Sequence, residues 1–135
     1  MIGLALALMI QAEPPPFLQF IEEAEALGRA SYMGGICSAL KIVESDAASV
    51  TALVDDFRRR AIMAKTDGPI VEDALTRGVE REKAASAVMI DFGPDDGSER
   101  RRRREDQAAE YFGTACADLT INYPEAFKIV PSIMD

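Results

Sequence analysis

Apolar residues recur at helical spacing along most of the chain. Phe17, Phe20, Ile21, Ala24, Leu27, Gly28 and Ser31 fall on one stripe, while Gln19, Glu22, Glu23 and Arg29 fall mostly on the other side. This is the period of an amphipathic helix. The stripe runs on through Gly34 and Cys37 to Leu40-Lys41, predicting one helix of about 25 residues in which Gly34-Gly35 is a place for a bend. Glu44-Ser45-Asp46 supplies turn and N-cap residues. Beyond it Val50, Leu53, Val54, Phe57, Ala61 and Ala64 share a face, with Asp55/Arg59 and Asp56/Arg60 placed as i,i+4 pairs outside.

Thr66-Asp67-Gly68-Pro69 stops that helix and starts a third, with Glu72 and Asp73 in the first turn where the dipole favours negative charge. Here the spacing turns Val71, Leu75, Gly78 or Val79, Ala85, Val88, Met89 and Phe92 inward. The middle turn from Arg77 to Lys83 is polar, and Glu82 falls on its inner face, which predicts a partner contact or a groove. Gly93-Pro94-Asp95-Asp96-Gly97-Ser98 is a loop. A fourth helix opens with Glu99 and five arginines, settles into Ala108, Tyr111, Phe112, Ala115, Cys116 and Leu119, and ends near Asn122-Tyr123-Pro124. Phe127, Ile129 and Val130 predict a short helical turn before Pro131. No segment alternates with period two, and no hairpin turn separates β-branched runs. The expected fold is therefore all-α: a small antiparallel four-helix bundle filling residues 17–130, followed by a tail at 131–135.

One pattern ties the first helix to the last. Tyr32-x-Gly34-x-x-Cys37-x-x-Leu40 and Tyr111-x-Gly113-x-x-Cys116-x-x-Leu119 are copies of one frame, extended by Ala30 and Ala109 before and Ile42 and Ile121 after. Only two cysteines are present, so one pairing is possible, Cys37 with Cys116. Helix axes normally lie about 8–10 Å apart, whereas a disulfide needs Cα atoms about 5.5–6 Å apart. Ala30, Gly34, Ala109 and Gly113 are the small residues expected at that close crossing. The repeated frame also predicts a pseudo-two-fold axis near the bridge, with Tyr32 and Tyr111 flanking it. A redox-active pair would need a CxxC motif or an electropositive setting, and neither is evident, so the bridge is expected to be structural.

Composition narrows the function more than it assigns one. The 135 residues hold 48% hydrophobic and 7% aromatic residues and no Trp, which suits one alanine-rich helical core. A net charge of −8 argues against nucleic acid as a partner. There is no His, which removes the commonest general base, nucleophile partner and metal ligand. No cofactor or metal is expected, and the chain does not read as an enzyme.

Residues 1–12, from Met1 to Ala12, are uncharged and mostly apolar, and residues 13–16 are a Glu13-Pro14-Pro15-Pro16 spacer. The run is too short for a membrane-spanning helix, which takes about 20 residues, but has the length of a secretory apolar region. It departs from the usual signal peptide in having no basic residue ahead of it and Ile10 in place of a small residue. The expectation is a periplasmic or secreted protein with an oxidised cysteine pair. The alternatives are a short apolar arm and a cytoplasmic helical protein with reduced cysteines.

Arg100-Arg101-Arg102-Arg103-Arg104 points all round its helix, against the helix dipole. A solvated turn neutralised by Asp95, Asp96, Glu99, Glu105 and Asp106 is the plainer account, with Arg101/Glu105 and Arg102/Asp106 paired. An anionic-partner patch, joined by Arg58-Arg59-Arg60, is the sharper one. Ser38-x-x-Lys41 has the spacing of a serine acyl-enzyme motif but lacks that motif's companions. The acidic loop from Asp91 to Glu99 fails the EF-hand register, because Gly93 falls at position 3 and Asp96 at position 6. The function expected is thus a non-enzymatic exported module acting through contact with a protein partner or by self-association as a homodimer. The alternative is a carrier or sensor of a small amphipathic ligand between the helices.

Overall fold

The computed structural model describes residues 16–131. The apolar segment at 1–12, residues 13–15 of the proline spacer and residues 132–135 lie outside the described residues. Four helices account for most of the rest: α1 (Pro16–Ala39), α2 (Ala47–Met63), α3 (Gly68–Met89) and α4 (Glu99–Asn122). Each of the last three starts where a short polar side chain caps free backbone N–H groups. Asp46 accepts from the Ala48 N–H, Asp67 from the Ile70 N–H and Ser98 from the Arg101 N–H. α1 runs unbroken through Gly34-Gly35. It ends in a left-handed Lys41, with Lys41 N–H bonded to Ser38 O and Ile42 N–H to Cys37 O. Lys65 ends α2 in the same way, so in both places lysine occupies a position that glycine usually takes.

The tail departs from expectation. In place of a helical turn, Phe127–Ile129 forms strand β2, which pairs antiparallel with β1 (Val43–Ser45). Val43 faces Ile129, Glu44 faces Lys128 and Ser45 faces Phe127. Each strand is three residues long, too short for alternation to show. The pairing lets Phe127 and Val43 bury one side while Glu44 and Lys128 sit opposite each other in solvent.

Two apolar clusters fill the interior. One gathers Ala24, Leu27, Phe57, Ala61, Val71 and Leu75 of α1, α2 and α3. The other gathers Met33, Cys37, Val43, Phe112, Cys116 and Phe127 of α1, α4 and the two strands. Leu53 and Tyr123 touch both. The Cys37–Cys116 disulfide is formed, with Cα atoms 5.7 Å apart and both residues fully buried.

The small residues around the cysteines have mixed surroundings. A Cβ on Gly34 would overlap the Phe127 ring rather than α4, and one on Gly113 would meet nothing within 4 Å. Ala30 is buried, but Ala109 and Gly113 are exposed. A tight backbone contact also lies between α1 and α3: a Cβ on Gly28 would overlap the Leu75 carbonyl oxygen, and one on Gly78 the Glu25 carbonyl oxygen. Arg77 and Arg81 of α3 clamp this crossing by binding the Glu25 carboxylate at 2.7 and 2.8 Å. Held by these two arginines, Glu25 titrates below the usual glutamate range, the Arg77 hydrogen bond being the main cause.

Candidate functional site

Beyond the Gly28/Gly78 crossing, the C-terminal halves of α1 and α3 flank a groove that α4 closes from below. The groove encloses about 670 Å³, within the size range of small-molecule sites. Its α1 wall is Tyr32, Ile36 and Leu40, and its α3 wall is Lys83, Ala87 and Ile90. Ser86, Ala108 and Phe112, all nearly buried, form the floor. Leu40 and Ile90 are 51% and 59% exposed, so large apolar side chains border the opening. The walls are apolar because both helices continue their inward stripes past the point at which they separate.

Glu82, one turn before Ser86, does not open into this groove. It is 7% exposed, and its Oε2 accepts hydrogen bonds from the Tyr111 hydroxyl at 2.6 Å and the Ser86 hydroxyl at 3.1 Å. The polar turn of α3 is thus tied into α4. Burial first, and the adjoining carboxylate second, push the Tyr111 hydroxyl up to about 12. Glu82 also borders a wider, more polar crevice of about 680 Å³, shared with Gln107, Thr114 and Asp118. The Ser86–Glu82–Tyr111 chain therefore separates two concave surfaces. Its serine is hydrogen-bonded to a carboxylate, an arrangement that ties α3 to α4.

The tyrosines of the repeated frame have different surroundings: Tyr32 lines the groove and Tyr111 holds Glu82. Leu119 is buried where Leu40 is exposed, and Ile121 is 73% exposed where Ile42 packs against the core. The two copies share the bridge without sharing an environment.

Within the arginine run, only Arg101 has ionic partners among the described residues. It binds Glu105 at 2.8 Å and Asp95 at 3.5 Å, donates to the Gly93 carbonyl at 2.9 Å, and lies 5.5 Å from the centre of the Phe92 ring. It fastens the loop before α4 and holds Phe92 at the groove. Arg100, Arg102, Arg103 and Arg104 form no ion pair among the described residues, and the expected Arg102/Asp106 pair is not made. Arg58 is bound to Glu72, Arg59 to Asp56 and Arg60 to Glu23, so that triplet is neutralised by its own neighbours and adds nothing to a basic patch.

Phe92 at the groove and Gly28 at the crossing are positions the sequence did not single out as site-forming, whereas Lys83 closes the polar turn expected to form a contact or a groove, and Gly78 was expected to leave space for a ligand. Among the described residues no group of three or more His, Cys, Asp or Glu could hold a metal ion. No described helix is long and apolar enough to cross a membrane. No family model, curated protein or solved structure matches the chain.

Proposed function

We propose that the protein is a non-enzymatic, exported helical module that holds a small amphipathic ligand in the groove between α1, α3 and α4. The observation that carries this reading is the groove itself: about 670 Å³ of apolar walls reaching down to Ser86 and Phe112, with few polar groups. The lack of histidine supports a binding role over a catalytic one. The Cys37–Cys116 bridge supports a periplasmic or secreted location. We read the framework as an antiparallel four-helix bundle. In this reading residues 1–12 are removed on export.

The groove test uses an environment-sensitive apolar dye. Ala109→Trp fills the groove from an exposed position and leaves the core untouched, so it should abolish dye binding with unchanged helix content. Equal dye binding by wild type and Ala109→Trp would refute the groove as the working surface. For export, the mature protein should begin near Glu13 by N-terminal sequencing. A mature chain that keeps Met1 would refute it.

A second reading, protein–protein contact or a homodimer, is favoured by a different surface. Ile62 and Met63 at the end of α2 are 72% and 76% exposed, and Leu18 and Ile70 are exposed at the starts of α1 and α3. Apolar side chains exposed together are candidates for a covered face. Sedimentation of wild type against Ile62→Asp/Met63→Asp decides: a dimer that the double variant disrupts supports this reading, and a monomer in both refutes self-association.

A further inference from the structure

Resting on the groove as the working surface, we propose that its occupant is a single-chain amphiphile with an anionic head, of the fatty-acid type. The head lies at Lys83 and Tyr32, and the tail runs toward Leu40, Ile90 and Phe92.

The groove has an end with a cation unpaired among the described residues and an opposite end whose one charge, Glu105, is held by Arg101. Tyr32 and Lys83 are the wall residues nearest the Gly28/Gly78 crossing, while Leu40 and Ile90 stand at the far ends of the same two helical stripes. Eight residues of helix separate Tyr32 from Leu40, a rise of about 12 Å. An occupant that satisfies both ends is polar at one tip and apolar along the rest.

The sign of the head follows from the charges at the rim. Two charged side chains line the groove, Lys83 and Glu105. Glu105 is held by Arg101 at 2.8 Å, so its charge is compensated within the protein. Lys83 forms no ion pair, and Tyr32 makes no side-chain hydrogen bond, among the described residues. A carboxylate between them gains a charge-assisted bond from the ammonium and a second from the phenol hydroxyl. A cationic head would meet Lys83 uncompensated. The net charge of −8 opposes docking of the whole molecule on an anionic bilayer, which favours a monomeric amphiphile entering the groove over a membrane surface.

The experiment measures binding of dodecanoate, dodecyltrimethylammonium and dodecyl maltoside, as monomers, to the full oxidised chain. These share one tail and differ in the head. Dodecanoate should bind about tenfold more tightly than either of the others. Lys83→Gln should bring the three within about twofold of one another, Lys83→Arg should keep the preference, and Ala109→Trp should abolish all binding. Lys83 is exposed, so these changes leave the core intact. Equal binding of the three by wild type, or a preference unchanged in Lys83→Gln, would overturn the anionic assignment while the groove reading stands. Failure of all three to bind would overturn both.

Discussion

The Tyr111 hydroxyl donates to Oε2 of Glu82 at 2.6 Å, across the contact between α3 and α4. That bond places a carboxylate inside the protein with no ion pair to it among the described residues. Two neutral hydroxyls satisfy it, the other being Ser86. Tyr111 also stacks edge-on to Phe112, with ring centres 5.2 Å apart, so the hydroxyl that fixes Glu82 is itself fixed by the groove floor.

This pairing predicts an alkaline transition. The folded tyrosine ionises at about 12, against an ordinary value of 10.0. A raised folded pKa means that the stabilisation is complete below the unfolded value and is lost as pH rises through the folded one. Stability should therefore fall between roughly pH 10 and pH 12. Tyr111→Phe should cost about 1–3 kcal/mol at neutral pH, because Glu82 loses a partner. It should also remove the phenolate absorbance step near 12; a step that persists in the variant would assign it to another tyrosine.

The Gly28/Gly78 crossing predicts an asymmetry among glycines. Gly28→Ala and Gly78→Ala each force a methyl onto a backbone carbonyl, and each should lose about 2–3 kcal/mol in urea unfolding. Gly113→Ala sits on an exposed helical turn with open space around it and should gain about 0.5–1 kcal/mol. Equal losses at Gly78 and Gly113 would contradict the placement of the crossing.

The disulfide predicts slow reduction. Both cysteines are fully buried, so a thiol reagent reaches the bond only when the protein opens. Reduction in denaturant should be fast and in native buffer slow. Because the bond spans 79 residues of sequence, Cys37→Ala/Cys116→Ala should lose about 4 kcal/mol. Intact mass before and after denaturing reduction should differ by two hydrogens; identical masses would show that the bond does not form.

The α2 cap predicts an acid-side effect of opposite sign to that of Tyr111. Asp46 accepts from the Ser49 hydroxyl at 2.7 Å and from the Ala48 N–H, and the Ser49 bond first holds its carboxyl below the usual range. A lowered folded pKa contributes stability above the unfolded value and loses it as pH falls through the folded one. Asp46→Ala should lower stability at neutral pH, because the N-terminal turn of α2 loses its cap. Chemical denaturation at descending pH should show that gap closing below the ordinary carboxylate range.

The sequence carried the local features plainly and the distant ones poorly. The helix starts after Asp46, Asp67 and Ser98 were legible as a cap, a restart and a loop end, because a helix start is written in three or four consecutive residues. Cys37–Cys116 was legible because only one pairing existed. The α1–α3 crossing was not: Gly28 and Gly78 look like filler on apolar stripes, and nothing local names the carbonyl each approaches. Periodicity alone also drifted along α3. It turned Val88 inward, yet Val88 is 72% exposed and Ser86 is 2% exposed, the face that carries Glu82 and Ser86 being the one turned to Tyr111. The polar turn around Glu82 was marked as a contact or a groove, and Lys83 at its end lines the groove while Glu82 borders the crevice on the other side. Phe92 packs against the core as expected, and its second role, lining the groove beside Arg101, rests on a contact nine residues further on in the chain.

The pairing of β2 with β1 has a consequence for how the chain becomes a fold. The wall around Cys37 is built from Val43 near the beginning and from Ala126 and Phe127 near the end, and the pocket left by Gly34 is filled by the Phe127 ring. No nascent chain that stops short of β2 can complete this half of the interior, whatever helices it has already formed. Such long-range closure is slow compared with helix formation. During synthesis the first helix is therefore left holding an open seam that the segment from Ala126 to Ile129 seals, and a chain cut before β2 lacks that latch.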